Sequence, residues 1–213
     1  MRNPLTQLAG AGHAEAETAV TLIDEARELA PQWEQQRARG IMFARRAEQT
    51  SDVLLADQAI NALRPLAVPL ANDLPLQAAL AAALNLTGDT GGAGAVWQGI
   101  LQQDPSHEAA LEGLAYACHD AGQFELALEY LDRLLAINPY QSNSHGRRAH
   151  ILGRLERMPE AIEAAQRTIE LDPTSVHVYR WLSHACALAG DQESSQKYSN
   201  MADTLERLPP VER

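Results

Sequence analysis

The chain has 213 residues, enough for one or two compact domains with a substantial core. It is 46% hydrophobic but only 5% aromatic, and Ala and Leu dominate, which suits packed helices better than a sheet rich in Val, Ile and Tyr. A formal charge of −11 and a pI near 5.0 argue against a general nucleic-acid binder, which needs a basic footprint on phosphates.

Two cysteines, Cys118 and Cys186, have neither the spacing of a zinc or haem motif nor that of a disulfide framework. No stretch approaches the ~18 apolar residues of a membrane span, and the N-terminus lacks the apolar core of a leader. The expectation is a cytoplasmic chain without membrane insertion.

In chain order, a first helix is predicted from about Ala14 to Ala30, with Ala19, Val20, Ile23, Ala26 and Leu29 on one face and Pro31 ending it. A second pair is predicted over Gln32 to about Glu48 and Val53 to about Leu70, the latter interrupted by Pro65 and Pro69. Residues 1–73 thus read as degenerate helical repeats.

From residue 74 a period takes over. Pro105, Pro139 and Pro173 lie 34 residues apart, preceded by Asp104, Asn138 and Asp172. Gly88, Gly122 and Gly190 keep the same period, with Glu156 in the one missing slot. So do Ala81, Ala115, Ala149 and Ser183; Ala93, Ala127, Ala161 and Ser195; and Leu84, Cys118, Leu152 and Cys186. Each unit then holds two short helices, the first closed by a left-handed Gly and the second ended before Pro. The small columns let the paired helices approach. The units are 74–107, 108–141, 142–175 and 176–209, and one unit cannot bury its apolar face without a neighbour. The polar last helix, with Ser194, Ser195, Gln196, Ser199 and Asn200, reads as a cap on the stack.

This pattern resembles the tetratricopeptide repeat family. In residues 108–141, Leu114, Ala115, Gly122, Phe124, Ala127 and Pro139 stand where the family has its large, small, turn, aromatic, small and terminating residues. Residues 142–175 keep Ala149, Ala161 and Leu171–Pro173 but carry Arg148 and Glu156 at the large and turn positions. The resemblance implies an all-α, right-handed superhelical solenoid of antiparallel helix pairs, a concave groove lined by the first helices, and protein binding.

Chemistry-bearing motifs are missing. Cys118 and Cys186 occupy a core column and read as buried small hydrophobes. His177 and His184 share a helix face but lie about 10 Å apart along it, and no metal spacing occurs. Ser106, Ser142, Ser144 and Ser175 fall at turns, where they read as helix caps. The segment TGDTGGAG, Thr87 to Gly94, lacks the ending of a phosphate loop and reads as an inter-helix turn. The chain is expected to have no cofactor and no catalytic site.

Charge is segregated instead. Residues 142–155 carry Arg147, Arg148 and Arg154 with His145 and His150 and no acid; residues 176–189 carry Arg180 with His177 and His184 and no acid. The family resemblance places these first helices on the groove. Tyr116, Arg147, His150, Arg154, His177, Arg180, Trp181 and His184 are therefore the candidate partner-binding residues, with the stem of Arg148 buried and its head at the groove rim. A further basic cluster, Arg37, Arg39, Arg45 and Arg46, has no orientation assigned by the sequence. The family's carboxylate clamp for chaperone tails maps to Ala78, Ala82, Gly113, Asn143 and Arg147, of which only Arg147 matches.

The leading expectation is a scaffold or adaptor that takes a peptide or protein with acidic groups in the groove. Two alternatives stay open: a scaffold that self-associates into a larger complex, and a non-catalytic docking segment of a larger enzyme, with a faint likeness to repeat tails of multihaem cytochromes. The repeat register makes one energetic demand. Replacing Ala127 by Leu should overpack its helix pair and lower stability by about 1–3 kcal/mol in denaturant unfolding.

Overall fold

The computed structural model describes residues 31–207, so the helix expected over Ala14–Ala30 lies outside the described residues. The chain forms two compact units, Met1–Asp89 and Thr90–Arg213. Every regular element among the described residues is helical.

In the first unit, helix α1 covers 31–50, α2 runs Val53–Leu63 and α3 runs Leu74–Leu86, with one 3-10 turn over Arg64–Leu66. Asp52 caps α2 by accepting hydrogen bonds from the backbone N–H groups of Leu54 (2.9 Å) and Leu55 (3.3 Å). The helix stops at Leu63 rather than near Leu70, because Pro65 has no N–H to continue the ladder. The turn that follows is held by the buried Gln77 amide, whose Nε2 donates to the Ala67 carbonyl at 2.7 Å. Asp73 caps α3 and also receives the Arg37 guanidinium, which ties α1 to the start of α3. That hydrogen-bonded pairing lowers the Asp73 carboxyl below its ordinary range and raises Arg37.

The second unit contains α4 (Thr90–Gln103), α5 (Glu108–Asp120), α6 (Phe124–Ile137), α7 (Ser142–Arg154), α8 (Met158–Leu171), α9 (Val176–Leu188) and α10 (Gln192–Arg207). Each helix packs on the next in chain order. The expected small columns are buried: Ala115, Ala127, Ala149 and Ala161 are each no more than 3% exposed. Leu114, Leu131, Leu134, Leu152 and Leu182 fill the seams, and Cys118 and Cys186 are buried thiols whose pKa values burial pushes up. Trp97 of α4 seats its ring against Gly113 of α5, where a Cβ would overlap the indole.

Two periodic columns have one local cause. After α3, α5, α7 and α9 the turn residue has positive φ: Gly88 (84°), Gly122 (73°), Glu156 (59°) and Gly190 (83°). The next residue's N–H then reaches back to the carbonyl of Leu84, Cys118, Leu152 or Cys186, at 2.8–3.0 Å. One column supplies the left-handed backbone, and the other supplies both the accepting carbonyl and a buried side chain. The Asp/Asn-before-Pro column is explained the same way. The side chains of Asp104, Asn138 and Asp172 accept from the N–H two residues on, in Ser106 (3.0 Å), Tyr140 (3.4 Å) and Thr174 (3.0 Å).

Three expectations are corrected. The serine hydroxyls at the turns donate to side chains rather than capping backbone N–H groups: Ser106 to Asp104, Ser144 to Gln141, Ser175 to Asp172. Only Thr87–Asp89 of the glycine-rich segment is a turn; Thr90 onward already belongs to α4, whose local ladder tolerates the glycines. Arg148 turns its head to Asp132 of α6 at 2.8 Å, so its charge is neutralised between helices and not offered at a groove rim.

Glu156 is the one non-glycine in the left-handed turn column. A left-handed L residue costs roughly 1–2 kcal/mol, while glycine's extra freedom in the unfolded chain returns roughly 0.5–1 kcal/mol of that. Glu156→Gly should therefore raise stability by about 0.5–1 kcal/mol, read as a higher midpoint in thermal or denaturant unfolding.

Candidate interaction groove

Within the second unit, α5, α7, α8 and α9 enclose a cavity of about 610 Å³. From α5 come Tyr116 and His119. From α7 come Ser142, Asn143, Gly146, Arg147, Ala149 and His150. Ala165 and Thr168 of α8 form part of the floor, and Ser175 with His177, Val178 and Trp181 closes the α9 side. Helical spacing explains the selection: Asn143, Arg147 and His150 stand three or four apart on α7, as do His177 and Trp181 on α9. The 34-residue period aligns Asn143 with His177 and Arg147 with Trp181. Gly146, Ala149 and Ala165 are too short to fill the space between them.

The lining contains one arginine, three histidines and no carboxylate. Arg147 lies with its guanidinium carbon 5.3 Å from the Tyr116 ring centre, while its Nη2 is 3.7 Å from Glu112 at the edge. The pairing with Glu112 is long and solvated, so it contributes little stability and leaves the guanidinium exchangeable. The His150 ring stands 5.3 Å from the His119 ring. Burial of part of the ring, then the charges of His119 and Arg154, lower the His150 pKa below its ordinary 6.5. His150 therefore brings the cavity less charge near neutral pH than an exposed histidine would.

Five of the eight candidate residues meet at this cavity: Tyr116, Arg147, His150, His177 and Trp181. The other three do not line it. Arg154 lies over the Phe124 ring, 5.2 Å from its centre. Arg180 donates to Glu206 at 2.8 Å and lies 2.9 Å from Asp203, so its charge locks α9 to α10. His184 shares a repeat column with Tyr116 and His150 but is exposed outside the lining. His119 was missed because its helix reads as acidic. Its partner His150 holds the repeat position of Tyr116, a clue that column alignment could have supplied. Among the described residues no group of three or more His, Cys, Asp and Glu is placed to hold a metal, and no helix is long and apolar enough to cross a membrane.

Residues 86–151 match the tetratricopeptide repeat family model. Human tetratricopeptide repeat protein 13 is 35% identical over 117 residues, covering 53% of this chain and 14% of that protein. A FAM10 family protein of Arabidopsis thaliana is 30% identical over 95 residues, covering 45% and 22% respectively. The chain thus spans less than a quarter of the length of either relative. Among solved structures, MamA AMB-1 superposes with a TM-score of 0.73 at 21% identity, over 85% of this chain and 96% of that one. MamA from Desulfovibrio magneticus RS-1 gives 0.71 at 21% identity, over 81% and 96%. These likenesses concern the fold.

The His150 environment has a measurable consequence. Its ring should titrate below 6.5 by proton NMR, and His119→Asn should move that midpoint upward by removing one repelling charge. The sign for stability follows: a folded-state pKa below the unfolded value leaves the His150 contribution intact above about 6.5 and erodes it as pH falls through the folded midpoint.

Proposed function

We propose that this chain, whose residues 86–151 match the tetratricopeptide repeat family, is a non-catalytic adaptor whose second unit receives an acidic, extended segment of a partner protein in the α5–α7–α9 cavity. The observation that carries the reading is the complete absence of carboxylates from the cavity lining in a chain of net charge −11. Random solvation of a surface would not keep acids out of one concave face.

Arg147 is the fixed cation. A ligand carboxylate can replace the distant Glu112 and take two parallel hydrogen bonds from the guanidinium. Tyr116 and Trp181 offer flat faces to side chains on either side, and the floor at Gly146, Ala149 and Ala165 leaves room for one bulky apolar group. Asn143 stands one turn before Arg147, where its amide can bond the backbone of an extended segment. The Arg180 charge, once expected in this role, is held by α10 and is assigned to stability. The two free, buried thiols fit a reducing compartment, and the cytoplasm is the expected location.

Selection from a random peptide library on the intact protein should enrich Asp and Glu beside one large apolar residue. Calorimetry on a selected peptide should show affinity falling with salt and dropping about tenfold on Arg147→Ala. Gly146→Leu should also abolish binding, because its side chain enters the cavity, while the backbone site accepts a Cβ without a clash. Selected peptides without acids, or indifference to both substitutions, would refute the proposal. Mass rising with concentration in light scattering, with loss of that rise on Arg147→Ala, would assign the groove to self-assembly instead.

A further inference from the structure

The first unit presents a second basic surface, unrelated to the cavity above. Along α1, Ala38, Ile41 or Met42, Arg45 and Gln49 recur at spacings of three or four and line one side of an open hollow of about 740 Å³, closed at its edge by Pro75 of α3. Of the arginines around it, Arg37 is committed to Asp73, and Arg39 lies over Phe43 outside the hollow. Arg45 and Arg46 are exposed, and neither side chain has a hydrogen bond or ion pair among the described residues. Between them and Arg37 sits Met42, 56% exposed, an adaptable apolar side chain left uncovered. Two adjacent cations of an acidic chain thus have no carboxylate partner among the described residues, beside an apolar track.

We propose that this face of α1 docks a short acidic segment of a partner protein, with Arg45 and Arg46 gripping carboxylates and Ile41 and Met42 receiving one apolar side chain. The dimensions fix the occupant. From Ala38 to Gln49 the track is roughly 16 Å long and one helix wide, about 10 Å. That length matches about five extended residues. The area is a small fraction of the roughly 800 Å² per partner of a stable dimer, which argues against a second copy as occupant. Two free guanidiniums also fall short of the roughly four to eight basic residues that hold a protein to an anionic bilayer.

The test uses the full chain and a fluorescein-labelled heptapeptide with four glutamates around one phenylalanine, read by anisotropy. Because this probe can also enter the second-unit cavity, titrations are run in both the native and the Arg147→Ala background. Arg45→Gln with Arg46→Gln should weaken the Arg147-independent component about tenfold, and Met42→Ser about threefold, with unchanged thermal melts. The glutamine version of the peptide should not bind. Loss of binding on Arg147→Ala alone, with the α1 variants silent, overturns this site and leaves the cavity reading standing; the reverse pattern does the opposite. No binding to the native chain at 1 mM probe, equal binding of the glutamine peptide, preferential capture by phosphatidylserine vesicles, or loss of self-association in the α1 variants would each overturn it.

Discussion

The left-handed residue that closes α5, α7 and α9 sets the geometry on which the second unit depends. It reverses the chain within three residues, and the hydrogen bond it permits reaches back to a carbonyl whose own side chain is already in the core. Local turn and packed interior are therefore one constraint. Given that turn, the following helix must return antiparallel, and small residues such as Ala115 and Ala127 decide how closely it does so. The column of Asp or Asn before Pro performs the complementary task after α4, α6 and α8, satisfying a free N–H where proline has interrupted the ladder.

Within this frame the arginines divide by what they meet. Arg37, Arg148 and Arg180 are held by Asp73, Asp132 and the Asp203–Glu206 pair, and each joins two elements. Arg147 has a distant acid and an aromatic face, and Arg45 and Arg46 have neither among the described residues. The side chains available for binding are therefore those the fold does not already use. Exposed pairings of this kind contribute little stability individually, so their value lies in orientation, which is also what the Tyr116 ring gives Arg147.

The groove is shaped more by what is small than by what is charged. Gly146, Ala149 and Ala165 leave the volume, and Tyr116, His177 and Trp181 stand around it. His119 and His150, their rings tilted against each other at 5.3 Å, lend polarity, while burial and the charges of His119 and Arg154 disfavour protonation of His150.

The sequence by itself determined the helix pairs from Glu108 onward, their turns and their buried alanine columns, because each rests on residues close along the chain repeating at a fixed interval. Proline, glycine and small residues impose their backbone consequences wherever they fall. Glu156 shows the strength of this: its turn adopts the glycine conformation because its neighbours in the period demand it. Charge was legible only as far as the helix that bears it. Which arginines end up paired depends on carboxylates 16, 26 or 36 residues away, brought close by packing. For that reason Arg180 and Arg148 looked free in the sequence and are not, while His119, on an acidic helix, joins the cavity. The tertiary structure alone decided these, because an ion pair or a cavity wall belongs to several helices at once and has no signature in any one of them.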